Sequence, residues 1–138
     1  MVKMTAEYTG GLHCSAVHGP SGNRIETDAP VDNQGRGEAF SPTDLAGASL
    51  LTCMMTTMEI AARRNGIDLT GMRGEVTKEM SAIPPRRIVR LSVRIWIPLP
   101  RSADPQGIVE AAGLGCPMHH SLHPDLERPV VFHWKDQP

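Results

Sequence analysis

The stretch SPTDLAGASLLTCMMTTMEIAARRNG, residues 41–66, decides the architecture. Ser41, Pro42 and Asp44 together make a helix start. The serine oxygen can take an orphan N–H, the proline lacks a donor where none is needed, and the carboxylate meets the positive end of the helix dipole. The spacing predicts a helix from Pro42 to about Asn65, with Arg63 and Arg64 in its last turn and Gly66 as its stop. At 1.5 Å per residue this is an element of roughly 36 Å, long for a chain of 138 residues. Leu45, Ala46, Ala48, Leu50, Leu51, Met54, Met55, Met58 and Ile60 surround most of its circumference, which predicts burial on most sides. So small a chain has too little material to wrap such a helix, and a second subunit is expected to supply part of the cover.

Upstream of the helix, residues 2–8, 12–17 and 24–27 read as three short strands. Gly10-Gly11 joins the first two, and Gly19-Pro20-Ser21-Gly22 joins the second to the third. Residues 29–41, with Pro30, Asp32, Asn33, Gly35 and Gly37, form a loop. Downstream, residues 72–81 and 88–97 alternate with period two around the hairpin loop Ile83-Pro84-Pro85-Arg86-Arg87. Residues 105–115 read as a second helix, which residues 117–122 either continue past a kink or follow with a new turn. Residues 129–134 are a closing strand. The order is α+β: three N-terminal strands, a long central helix, a β-hairpin, a broken second helix and a final strand. No repeat or linker interrupts it, so a single domain over 1–138 is expected.

Composition narrows the function. With 14 Lys+Arg against 15 Asp+Glu the net charge is -1, which excludes a nucleic-acid binder driven by bulk charge. Aromatic residues are 4% of the chain, too few for a base-stacking platform. The apolar run Leu45 to Met55 is about half of the ~20 residues that a bilayer crossing needs, and residues 1–7 contain no apolar signal-like stretch. A soluble cytoplasmic protein is expected, without nucleic acid or membrane as a partner.

The three cysteines, Cys14, Cys53 and Cys116, match neither a disulfide framework nor a zinc ribbon. Cys53 lies mid-helix, beyond reach of the helix dipole, and reads on its own as a core thiol. Cys116 precedes Pro117, so a helical turn beginning there places free N–H groups at its sulfur and favours the thiolate. Cys14 falls in a strand and reads as structural. Cys116, His119, His120 and His123 recur at i, i+3, i+4 and i+7, a spacing that would put four metal ligands on one helix face. Pro117 and Pro124 interrupt that face at both ends, and the preferred reading has no metal and no cofactor.

Ser41-Pro42-Thr43-Asp44-Leu45, followed by Ala46 to Cys53, resembles the S/N-P-x-E/D-L…A-C helix of the OsmC/Ohr family of osmotically inducible and organic hydroperoxide resistance proteins. Ala111-Ala112-Gly113-Leu114-Gly115-Cys116-Pro117-Met118-His119-His120-Ser121-Leu122 is similar to the family's second motif, an alanine-rich helix ending in C-P-x-x-x-x-L. The resemblance implies an α+β fold in which two chains intertwine as a homodimer. It also implies a thiol peroxidase of oxidative-stress defence. Cys53 would attack an organic hydroperoxide and become a sulfenic acid, and Cys116 would resolve it as a disulfide. A dithiol or a lipoylated protein would restore the thiols. Leu50, Met54 and Met58 are expected to line an apolar substrate pocket.

Peroxidase members carry a Glu ten residues before the reactive cysteine, paired with an Arg from an early loop. Here that position is Thr43. Asp44 is nine positions from Cys53, about 180° around a helix, and is read as a helix-start carboxylate. Arg24, with Arg36 as the other choice, is the candidate for stabilising the thiolate. The departure marks a divergent branch and keeps a second reading open, a redox sensor without turnover or an apolar small-molecule binding protein.

Overall fold

In the computed structural model, which describes residues 1–137, every buried apolar side chain comes from Leu50 onward. The chain divides into two compact units, Met1–Ala46 and the part from Gly47 on.

The first unit is an antiparallel meander of β1 (Met4–Gly10), β2 (His13–His18) and β3 (Arg24–Asp28). The three strands sit within about two residues of the sequence pattern. The following loop contains a 3-10 turn at Val31–Asn33. The buried residues here are polar, Asp28 and Ser41. His13 is held between two carboxylates of β3, with Nδ1 2.6 Å from Asp28 Oδ1 and Nε2 2.7 Å from Glu26 Oε2. The second oxygen of Glu26 accepts from Ser15 Oγ at 2.8 Å, and the second oxygen of Asp28 accepts the Glu38 N–H at 2.9 Å. Through Asp28 the sheet therefore grips the loop. Gly35 is needed for the same loop, because a Cβ there would lie 1.6 Å from the Ala29 carbonyl oxygen. At the loop's end Ser41 Oγ accepts the Asp44 N–H at 3.1 Å, while Asp44 Oδ2 accepts the Ser41 N–H at 2.8 Å. This is a reciprocal capping box, and it starts the long helix α1 (Pro42–Arg64).

The second unit holds a sheet ordered β4 (Arg73–Met80), β5 (Ile88–Ile97) and β6 (Val130–Trp134). β4 runs antiparallel to β5, and β6 runs parallel to it. Leu91, Val93, Ile95 and Ile97 are the buried face of β5 and form the core with Leu50, Met54, Met58 and Ala62 of α1. The helix comes down on β4 at Gly74, where a Cβ would lie 2.6 Å from Leu51 Cδ1 and 3.3 Å from the Arg94 carbonyl oxygen. Two short helices follow, α2 (Ile108–Leu114) and α3 (Pro117–Ser121). α2 starts three residues later than the sequence pattern suggests. The buried Asp104 carboxylate accepts the N–H groups of Ile108 and Val109, at 3.0 and 2.9 Å, and thereby sets the first turn.

Within the single chain α1 is exposed only at Pro42, Thr52, Thr56, Ile60, Arg63 and Arg64. Gly47, Leu50, Met54, Met58 and Ala62 form one buried stripe, and Ile60 is exposed. The helix as a whole is long and apolar enough to cross a membrane by length and composition, which the run Leu45 to Met55 understates. Its stripe in the core is what a buried helix of a globular protein also shows.

Two outcomes follow. Gly74→Ala forces Leu51 to move against a fixed backbone oxygen and should cost about 1–3 kcal/mol in stability, measured by urea unfolding. The His13 bridge is pH-dependent. The pKa of His13 is raised above 6.5, first by Asp28 and then by Glu26. Glu26 is lowered below 4.5, first by Ser15 and then by His13, and Asp28 below 3.8, chiefly by His13. Its stabilisation should be complete between about pH 4.5 and 6.5. It should fade upward as His13 loses its proton and downward as the carboxylates gain theirs. Hydrogen exchange over residues 28–40, corrected for intrinsic rates, should show this window in the wild type and not in His13→Gln.

Candidate functional site

Two cysteines from distant parts of the sequence meet in the second unit. Cys53 sits on α1 beside the buried stripe, not within it, and is half-buried. Cys116 is the N-cap of α3, extended at φ -67 and ψ 151, with Pro117 opening the helix behind it. Its side chain is fully buried, and Sγ accepts the His119 N–H at 3.3 Å. The two thiols are near enough to interact electrostatically, and both are free. Close helix packing makes this possible. A Cβ on Gly113 of α2 would stand 3.0 Å from Met58 Cγ and Sδ, so any larger residue would make the Met58 side chain give way. The sequence holds that signal in Gly113, three residues before Cys116, but nothing local distinguishes it from a turn glycine.

The electrostatics overturn one expectation. The N–H group at Cys116 is present as the sequence predicts, and it pulls the pKa down. Burial is the larger effect, however, and the neighbouring Cys53 thiol adds to it, so the Cys116 thiol is raised above 9.0. Cys116 is thus a neutral S–H at pH 7. His119 is lowered below 6.5, by burial first and then by Arg128 and His120. It is neutral at pH 7 and meets the His120 ring edge-on at 6.3 Å.

The other candidates are placed as follows. Cys14 lies in β2 opposite Tyr8 and Thr27. Arg24 opens β3, and its exposed guanidinium donates to Ser15 Oγ at 3.4 Å. Arg36 lies in the loop with its guanidinium beside Gly11. Thr43 Oγ1 is 3.1 Å from Ser41 Oγ, and Asp44 is taken up by the helix cap. Leu50, Met54 and Met58 are wholly buried and build the core instead of lining an open pocket. An apolar groove of about 480 Å³ lies on another flank of α1, between Met55, Ile60, Leu69 and Met72, and Cys53 is not among its walls. The four-ligand face is not formed either. α3 is five residues long and ends at an extended Leu122, so His123 leaves the helix. Among the described residues no three His, Cys, Asp or Glu side chains converge on a metal position.

Comparison with known proteins adds to this geometry. Residues 35–127 match the OsmC family, described as OsmC-like protein. The chain is similar to a Psychrobacter arcticus 273-4 structure named as an osmotic stress induced and detoxification response protein. The two share 45% identity with a TM-score of 0.88, over 96% of each chain. The fold is also that of an organic hydroperoxide resistance protein OsmC from Legionella pneumophila, at 16% identity and TM-score 0.77 over 96% of each chain. An organic hydroperoxide resistance protein from Elizabethkingia anophelis has it too, at 16% identity and TM-score 0.78 over 98% of this chain and 96% of that one. The curated proteins give no match.

The geometry predicts an order of thiol reactivity. Iodoacetamide applied to the native protein at pH 7.5 should modify Cys53 at least tenfold faster than Cys116, and unfolding in urea should remove the difference. Peptide mass spectrometry at timed quench points reads both rates.

Proposed function

Because the chain belongs to the OsmC family, we propose that it is a dithiol-dependent peroxidase acting on organic hydroperoxides, with Cys53 as peroxidatic and Cys116 as resolving cysteine. The observation that carries this reading is the proximity of one half-buried and one fully buried thiol, close enough for Cys53 to influence the proton of Cys116. The Cys53 thiolate attacks the terminal oxygen of ROOH, the O–O bond breaks, and the alkoxide leaves as ROH after taking up a proton. Cys53 is now a sulfenic acid. Cys116, as its thiolate, attacks that sulfur, hydroxide departs as water, and a Cys53–Cys116 disulfide forms. A dithiol or lipoylated protein then returns two electrons and two protons. Burial of Cys116 suits the resolving role, since it keeps that sulfur protonated and shielded from peroxide until Cys53 is oxidised. Free thiols of this kind belong to a reducing compartment such as the cytoplasm.

A homodimer is part of the reading. The N-terminal unit buries no apolar side chain, and a three-stranded sheet without an apolar face buried is not stable by itself. The single buried stripe of α1 leaves Ile60 and its neighbours available for the same cover.

Thr43, where the peroxidase members have a glutamate, favours a second reading, a redox sensor whose thiols oxidise once without turnover. Cumene hydroperoxide consumption with dithiothreitol separates the two. The peroxidase should consume many equivalents per chain, lose at least 100-fold in rate in Cys53→Ser, and show a Cys53–Cys116 disulfide by mass spectrometry when dithiol is withheld. Consumption of one equivalent per chain would establish the sensor, and thiols that stay reduced would remove both readings.

A further inference from the structure

On the face of the β4–β5–β6 sheet opposite the core, two of the three strand arginines face a glutamate across the ladder and the third does not. Side chains of β5 at positions 90, 94 and 96 point away from the buried Leu91, Val93, Ile95 and Ile97. Arg90 faces Glu79 across the ladder and pairs with it at 3.7 Å and with Glu127 at 2.8 Å. Arg94 faces Glu75 and pairs with it at 3.6 Å. The next row is Arg73, Trp96 and His133, one residue from each strand, and it contains no carboxylate. Trp96 is instead stacked on His133, with ring centroids 5.3 Å apart and planes 13° from parallel.

That row opens into a cavity of about 380 Å³, within the range of small-molecule sites. Arg73 and Lys135 both line it, and no acidic side chain does. Neither cation has an ion pair or side-chain hydrogen bond among the described residues. His133 Nε2 is buried without a hydrogen-bond partner. Two unneutralised cations and an unsatisfied ring nitrogen stand beside a flat aromatic stack. Surface arginines of the same sheet have their glutamates, so the deficit of negative charge is local to this cavity.

We propose that this cavity binds a small planar anion of the aromatic carboxylate class. The carboxylate would lie between Arg73 and Lys135, the arginine offering a two-point fork and the lysine a point charge. The ring of the ligand would extend the Trp96–His133 stack, where offset aromatic packing favours a flat partner over a puckered one. The site shares no lining residue with the thiol pair, so it is independent of the proposed peroxidase.

The test uses the full-length protein and isothermal titration with benzoate as the probe. Expected is saturable binding at one site per chain, retained in Cys53→Ser, and weakened at least fivefold by Arg73→Gln and by Lys135→Gln. Both substituted side chains are exposed and outside the core, and circular dichroism confirms that the variants fold. Neutral benzyl alcohol and the puckered cyclohexanecarboxylate should each bind at least fivefold more weakly than benzoate. No saturable benzoate binding, or binding unchanged in both variants, would overturn the site. Inorganic phosphate or cyclohexanecarboxylate binding as tightly as benzoate would overturn the planar ligand class.

Discussion

The packing of one stripe of α1 on one face of β5 is the constraint from which the rest of the second unit follows. Leu50, Met54, Met58 and Ala62 are spaced so that each turn of the helix adds a side chain to the same line. Leu91, Val93, Ile95 and Ile97 are spaced so that each second residue of the strand meets that line. Once these two periods engage, every neighbouring position has its exposure assigned. Cys53 falls immediately beside the stripe, and that single residue of offset makes it half-buried rather than sealed.

The two units are held by different physics. The second has an apolar core whose stabilisation scales with area removed from water. The first has a hydrogen-bonded bridge, His13 between Asp28 and Glu26, which organises a loop but buries no apolar side chain. Directional bonds of this kind specify geometry more than they stabilise it, because each replaces a bond to water. A unit of that sort relies on apolar cover from elsewhere, which is the physical ground for reading the protein as an assembly of two chains.

The thiol pair shows how two opposing local effects are ranked. A helix-opening N–H lowers the pKa of Cys116, and burial raises it, with burial the larger. The outcome is an asymmetric pair, in which the half-buried Cys53 meets solvent and the buried Cys116 holds its proton. That asymmetry is a property of burial and not of sequence position. It arises because Gly113 admits Met58 at close range, so α2 can carry Cys116 into the core.

Much of the architecture was legible in the chain itself. The capping residues Ser41 and Asp44, the alternation of residues 88–97 and the glycine-bounded strands are local patterns, and local patterns are set by backbone geometry within a few residues. The family motifs around Cys53 and Cys116 named the thiols as a pair. What the sequence left open was everything that depends on which surfaces meet. Whether residues 117–122 continue α2, how much of α1 is covered, and whether Cys116 is activated or silenced all turn on burial. The row of Arg73, Trp96 and His133 is invisible until three strands lie side by side in register. Periodicity along a chain determines which residues share a face. Only tertiary packing decides what that face is packed against, because desolvation and contact depend on neighbours far away in sequence.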